Sequence, residues 1–510
     1  MAWWVFPLDF LFPGAGAPWR PVGDAAQHMI AQRYLIADAW RWPPTFAANL
    51  DTQEGGINTA FADSIPALVL ALKAIRGLLP DGFHGVGLFY GLAWVLQPVA
   101  AVWALRGAGE TRLLPAIGVA LAALSMPAWI GRFGHAALCG HFLLLAGIGF
   151  YLRLLRAPTR GLWLAVCVFQ ILVLLIHPYL LVMTMALLSA VPLTLRLRGQ
   201  PALGALLGTG ASIGAVVLTM LAFGYFGARG GGGYGIYSLN LLSPVWPAGS
   251  GIVGLPWSAR IDATGHSGWE GYNWLGLGLL LGLALVLVLR PGATLSSIKR
   301  HAGLLLVLLA LTLLAVSHRV GFGGEIILDL GRWPARQLGQ FRASGRFFWP
   351  VAYAALIFAI VLLARRAPVL CLALGLVQFV DAAPLRSAIS AWAEERRPWS
   401  VDAPALREEL ARAQTLTVLP SWPCVDWRSG DPSVLLEALA LASERAVPAN
   451  SMYVARHTRP PACRDAALAA APLAPGELRL ILPAAQAALA PLVPDAAARC
   501  APVGTLLACR

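Results

Sequence analysis

Apolar runs bounded by charged residues, or by Gly and Pro, recur along the first three quarters of the chain, at 84–105, 113–130, 135–152, 161–176, 178–195, 203–224, 274–289, 302–316, 346–364 and 367–383. Each predicts a membrane helix, although a straight span needs about 20 apolar residues. Runs 161–176 and 302–316 fall short of that, so their helices are expected to end inside a protein-lined cavity or where the bilayer is thin. Ser64 to Leu79 is also apolar, but Lys73 and Arg76 interrupt it, which predicts a helix lying at the interface. From Pro384 the pattern changes. Short β-rich runs at 415–419, 451–455, 478–482 and 504–508 alternate with Ala/Leu-rich stretches at 403–413, 432–445 and 484–490, as in a small α/β domain. The expected fold is an all-α polytopic membrane domain of about ten transmembrane helices over 1–383, followed by a soluble α/β domain over 384–510.

Composition supports that division. With 58% hydrophobic and 12% charged residues, the chain does not read as an ordinary soluble protein. The net charge of +13 is spread over short clusters between the apolar runs rather than gathered into one patch, which argues against a nucleic-acid partner. These clusters are Arg106 with Arg112; Arg153, Arg156 and Arg160; Arg196 and Arg198; Arg290, Lys299 and Arg300; and Arg365 with Arg366. They fall in every second connection, so the positive-inside rule makes those connections cytoplasmic. The loops 131–135, 225–273 and 317–345, His177, the acidic stretch 23–66 and everything after 384 are then on the far side. An even number of spans with an outside tail requires an outside N-terminus. The first 20 residues offer neither a basic leader nor a long enough apolar run, so a first helix is expected to be missing from the chain as written.

Candidate chemistry concentrates on the far side. The stretch 23–66 holds Asp24, Asp38, Asp51, Glu54 and Asp63 with His28 and the aromatics Trp40, Trp42 and Phe46. Acidic side chains are expensive near a bilayer, so a concentration of them beside spans marks a functional candidate. Asp63 reads equally well as a cap for the interfacial helix, and His28 as a structural hydrogen-bonding residue. Glu270, Tyr272 and Asn273 lie in a WEGYN element just ahead of a span. The loop 317–349 carries five arginines, of which Arg342 and Arg346 are four apart around Ser344, itself placed to cap the next helix. Such a helix start, with guanidinium groups beside it, suits a phosphate; the bland reading is that the arginines anchor the outer end of a span. Arg132, His135 and His177 share this face, whereas His141 reads as a packing residue. Cys139, Cys167 and Cys371 fall in spans. Cys424, Cys463, Cys500 and Cys509 all fall in the C-terminal domain, where two disulfides have three connectivities, and a zinc site is disfavoured by the lack of a CxxC pair.

The order GDAAQH, WRWP, FADSIP, HPYL, EGYNWLG, RASGRFF and VQFVD over residues 23 to about 383 resembles the GT-C superfamily of integral-membrane glycosyltransferases, in particular an uncharacterised bacterial GT-C-like family. That resemblance implies a catalytic loop over 20–66, a polyprenyl-phosphate-linked sugar as donor, and a glycan, lipid or protein as acceptor, with inverting transfer. It places the chain in a bacterial inner membrane with the C-terminal domain periplasmic. It also implies a catalytic acidic residue in the first far-side loop, a position that falls on Asp24; Asp63 and Glu270, read from their own places in the sequence, are the further catalytic acids. His28, Arg132, His135, His177, Tyr272, Asn273, Arg342, Ser344 and Arg346 are the substrate-binding candidates. No cofactor is fixed by it. The family's paired acidic motif, used in some members for a divalent metal, is replaced here by the spaced set Asp51, Glu54 and Asp63. Two other classes fit the short spans: a lipid or polysaccharide transporter or flippase, and a non-catalytic envelope-assembly scaffold.

Overall fold

The computed structural model describes residues 5–14, 16, 19–227, 229–230, 232–254, 260–332, 338–422, 424–454, 456–457 and 462–510. All ten apolar runs are helical. Six of the helices are long and apolar enough to cross a membrane: Val86–Gly107, Leu113–Ile130, Ala136–Leu154, Pro178–Leu197, Leu203–Ala222 and Ser344–Ala364. Two more candidates are bent pairs, Leu277–Leu289 with Pro291–Arg300 (104°) and Pro368–Asp381 with Ala383–Glu394 (51°), which brings the number to as many as eight. Each bend has a proline in the first turn of its second helix, where its missing N–H is no loss. Arg160–Leu174 and Ala302–Val316 are the two shorter apolar helices, at the positions where the sequence ran short.

Leu203, Leu206, Leu207, Leu218 and Leu221 stand exposed on one helix, and an apolar surface of that extent calls for a lipid covering. The protein is thus mostly helical and membrane-embedded. Inside the bundle, small residues set the closest approaches. A Cβ on Gly118 would lie 2.1 Å from the Cys371 carbonyl oxygen, and one on Gly375 would lie 2.4 Å from that of Gly118. Helices Leu113–Leu124 and Pro368–Asp381 can therefore touch through their backbones. Buried polar groups tie the loops to this bundle. Gln378 accepts from Leu279 N–H at 3.0 Å and donates to the Leu275 and Ser125 carbonyls, while Asp381 accepts from Leu277 N–H at 2.9 Å and from the Ser250 hydroxyl.

In the C-terminal region, strands β1 (Thr415–Leu419), β2 (Glu477–Ile481), β3 (Cys500–Val503) and β4 (Leu506–Cys509) form one sheet in the order β1-β2-β4-β3. β1 and β2 are parallel and the remaining pairs antiparallel. The strand expected at 451–455 does not form over Ser451–Val454, and Ala455 lies outside the described residues. The Asn450 side chain takes its place at the sheet edge, accepting from Val418 N–H at 2.8 Å and donating to the Val418 carbonyl at 3.2 Å. The helix expected at 484–490 is reduced to short turns. Of the three connectivities, the structure has Cys424–Cys463 and Cys500–Cys509. Peptide mass mapping under non-reducing conditions should return these two linked pairs; four alkylated thiols would refute them.

This region packs directly on the helix Asp24–Ala37. Tyr34 donates to the Val447 carbonyl at 2.6 Å, Arg33 reaches the Ala440 carbonyl, and Arg20 pairs with Glu437. That docking decides what faces the candidate site.

Candidate functional site

The helix Asp24–Ala37 is buried from Ala25 to Ile36, with Asp24 in its first turn. Tyr453 of the C-terminal region donates its hydroxyl to Asp24 Oδ1 at 3.1 Å. One turn further on, His28 is completely buried, its ring 4.5 Å from that of His135. Neither His28 nitrogen, nor Nδ1 of His135, has a hydrogen-bond partner among the described residues. A buried polar atom left unpaired costs about 1–3 kcal/mol, so this packing asks for an explanation. Burial, reinforced by His135 and opposed by Asp63, holds the His28 imidazole well below its ordinary pKa and hence neutral.

Asp63 closes a 3₁₀ turn, Thr59–Ala62, in the left-handed region at φ 50°, and Ile65 follows at φ 57°. Such angles are uncommon for non-glycine residues and an outlier for a β-branched one; strain of this kind costs about 1–3 kcal/mol per residue and collects at functional sites. Ser64 pins the turn, its hydroxyl on Thr59 Oγ1 and its carbonyl accepting from Gln32 at 2.9 Å. The expectation that Asp63 caps the interfacial helix is corrected. Pro66–Ala74 has Ile65 at its N-cap without a side-chain bond, and the twisted turn sends the Asp63 carboxylate elsewhere. Its Oδ2 lies 3.4 Å from His135 Nε2, and its Oδ1 lies 3.6 Å from His177 Nε2. Burial alone would raise its pKa, but these imidazoles hold it well below the carboxylate range.

His177 has a defined tautomer. Its Nδ1 accepts the Tyr179 N–H at 3.1 Å, so the proton of the neutral ring sits on Nε2, facing Asp63. Burial, only partly offset by Asp63, brings its pKa down to about 3, which keeps the ring neutral.

Glu270 lies beside this cluster, close enough for His135 to act on it electrostatically. Arg346 grips its two oxygens at 2.9 and 2.8 Å, and Arg132 holds Oε2 from the other side. Arg132 also donates to the Trp269 carbonyl at 3.0 Å, and the Arg346 guanidinium sits 4.9 Å from the centre of the Tyr179 ring. The close backbone approach that allows this grip needs Gly345, where a Cβ would fall 2.8 Å from Gly271 Cα. Burial pushes the Glu270 pKa up, but the two guanidinium groups outweigh it and hold the carboxyl far below its ordinary range.

Several expected contacts with substrate are therefore committed within the protein. Ser344 begins a 3₁₀ turn, Ser344–Phe348, and its hydroxyl donates to the Ala315 carbonyl instead of capping a helix for phosphate. Tyr272 donates to the Ala248 carbonyl at 2.6 Å, and Asn273 donates to the carbonyls of Gly271 and Gly345. Arg346 is spent on Glu270. Arg342 is different: it is exposed, stands 5.5 Å from the Tyr237 ring and has no carboxylate partner among the described residues. Arg336, one of the five arginines of that loop, lies outside the described residues. Asp24, Asp63 and Arg342 all act electrostatically on the Tyr453 hydroxyl, whose pKa is raised first by burial and then by Asp24. Tyr453 was not legible as a site residue, because nothing in SMYVA distinguishes it from a strand aromatic.

A cavity of about 610 Å³ opens at the far end of the Asp24–Ala37 helix, lined by Arg33, Arg76, Arg407 and Glu444 among others. Three of its arginines are already bonded, Arg33 to the Gly82 carbonyl, Arg76 to that of Asp38 and Arg407 to Glu444.

Fold and site together define a membrane-embedded helical protein whose polar centre is assembled from far-apart loops and roofed by its C-terminal region. The model of the family described as a domain of unknown function, DUF6311, matches residues 1–383, and the chain belongs to that family. The model of the DUF6311 C-terminal domain matches residues 405–510. Among curated proteins, none matches this chain.

Proposed function

We propose that this chain is a glycosyltransferase of the GT-C type, with about ten transmembrane helices, that moves a sugar from a polyprenyl-phosphate donor to a glycan, lipid or protein acceptor outside the cytoplasm. The observation that carries the reading is the hydrogen bond of the Tyr453 hydroxyl to Asp24 of the first loop, with Arg342, which has no carboxylate partner among the described residues, acting electrostatically on the same hydroxyl. Inverting transfer needs those two elements at one place. A base takes the proton of the acceptor hydroxyl as its oxygen attacks the anomeric carbon, and a cation stabilises the phosphate that leaves with the bonding electrons. Asp24 is assigned the first role and Arg342 the second. Arg346 and Arg132 support the site by fixing Glu270. The donor's lipid would reach the site from the bilayer, along the apolar helices.

Isotopically labelled polyprenyl-phosphate sugars test the reading directly, since only a transferase consumes the donor; a purified, folded chain that leaves all such donors intact would favour the transporter or scaffold classes. The same reading places the C-terminal region in the periplasm of a bacterial cell, where its two disulfides suit an oxidising compartment. A reporter active only outside the cytoplasm, fused after residue 384, should be active. Activity of a cytoplasm-only reporter there would reverse the orientation and remove the donor assignment.

A further inference from the structure

A carboxylate oxygen of Asp63 and one ring nitrogen each of His135 and His28 lie within 4.8 Å of one another. Four ligands around a metal at about 2.0–2.2 Å stand roughly 3.3–3.6 Å apart. His135 and Asp63 are already at that spacing, 3.4 Å. His28 is completely buried and both its nitrogens lack partners among the described residues, although its ring faces His135 in the same cluster. One of the two orphaned nitrogens of this buried imidazole is accounted for if it has a ligand that protein atoms do not supply.

We propose that His28, His135 and Asp63 bind one divalent transition-metal ion of the zinc class, and that His177 orients the carboxylate without touching the metal. Two imidazoles and one carboxylate favour such an ion over magnesium or calcium, which take oxygen ligands. His177 is excluded as a ligand by its hydrogen bond. With Nδ1 accepting the Tyr179 N–H, its Nε2 carries the proton and has no free lone pair; it can only donate towards Asp63 Oδ1. This is the usual outer partner of a metal-bound carboxylate. Three protein ligands leave a position open, and the side chains of Asp63 and His135 are 22% and 13% exposed, so the open position is not sealed off. The strained Asp63–Ile65 turn, which aims the carboxylate at the histidines, fits the same purpose. The other grouping of potential ligands, Cys424, Cys463 and Asp465, has its two sulfurs joined in a disulfide and offers no thiolate.

The test uses the full chain in detergent or nanodiscs, stripped with a chelator and titrated with Zn²⁺, and with Co²⁺ as a spectroscopic probe. The expected result is one tight equivalent per chain and a Co²⁺ ligand-field spectrum of a nitrogen and oxygen site. His28→Gln, His135→Gln and Asp63→Asn should each weaken binding by more than about 100-fold, and His177→Gln by about 10-fold with the stoichiometry kept. His266→Gln, on an exposed histidine, should change nothing. A monodisperse, helical wild-type chain that takes up neither ion overturns the proposal. So does tight binding that survives His28→Gln together with Asp63→Asn, which would show an adventitious ion only. Binding is read without turnover, so the outcome is independent of the glycosyltransferase reading.

Discussion

Asp24→Asn should lower sugar transfer by about 10²-fold or more, the scale of losing a general base, and leave the fold intact. The substitution is nearly isosteric. Asn Oδ1 can still accept the Tyr453 hydroxyl, now 3.1 Å from Asp24 Oδ1, so the docking of the C-terminal region is kept while the proton acceptor is lost. Tyr453→Phe provides the control. If Asp24 mattered only by holding Tyr453, the two variants would lose activity alike; if Asp24 is the base, Tyr453→Phe should lose much less. Transfer assays on both variants, with donor concentration varied, decide between these roles. Normal turnover by Asp24→Asn would remove Asp24 from the chemistry.

The largest loss of stability is expected at Glu270→Gln. Glu270 is nearly buried and faces two guanidinium groups that are themselves almost inaccessible, Arg132 and Arg346. Removing its charge leaves two buried cations without a counter-ion, a change that costs about 3–5 kcal/mol in comparable buried pairs. A thermal unfolding series in detergent should show the lowered midpoint, and Glu270→Gln combined with Arg346→Gln should recover part of it, because one of the stranded charges is gone. The pH dependence has a definite sign. The folded-state pKa of Glu270 is depressed, so its contribution is complete above the ordinary carboxylate value and drains as pH falls from there towards the depressed value. Wild type should therefore hold its advantage over Glu270→Gln through neutral and mildly acidic pH and lose it only in strong acid. An unchanged midpoint in the variant would mean that the two arginines have another counter-charge.

The ten helical segments were determined by the sequence alone, because continuous apolar runs bounded by charge have no other way to satisfy their backbone in an apolar medium. The two short runs were legible for the same local reason, whereas the bends that continue the runs ending at 289 and 383 were not. The change of character after Pro384 was legible too, as was the gathering of acidic residues in 23–66. The residues of the site could be named, but not their partners. Asp63 looked like a cap since capping is a local habit of Asp before a helix; the left-handed angles at Asp63 and Ile65 turned it to His135 and His177 instead. Arg346 looked free for phosphate until Gly345 let it close on Glu270, 76 residues away in sequence. Tyr453 reached Asp24 across 429 residues. Local pattern fixes which face of an element is apolar, but where two distant polar side chains meet depends on backbone angles and on how helices dock, and only the tertiary structure decided that.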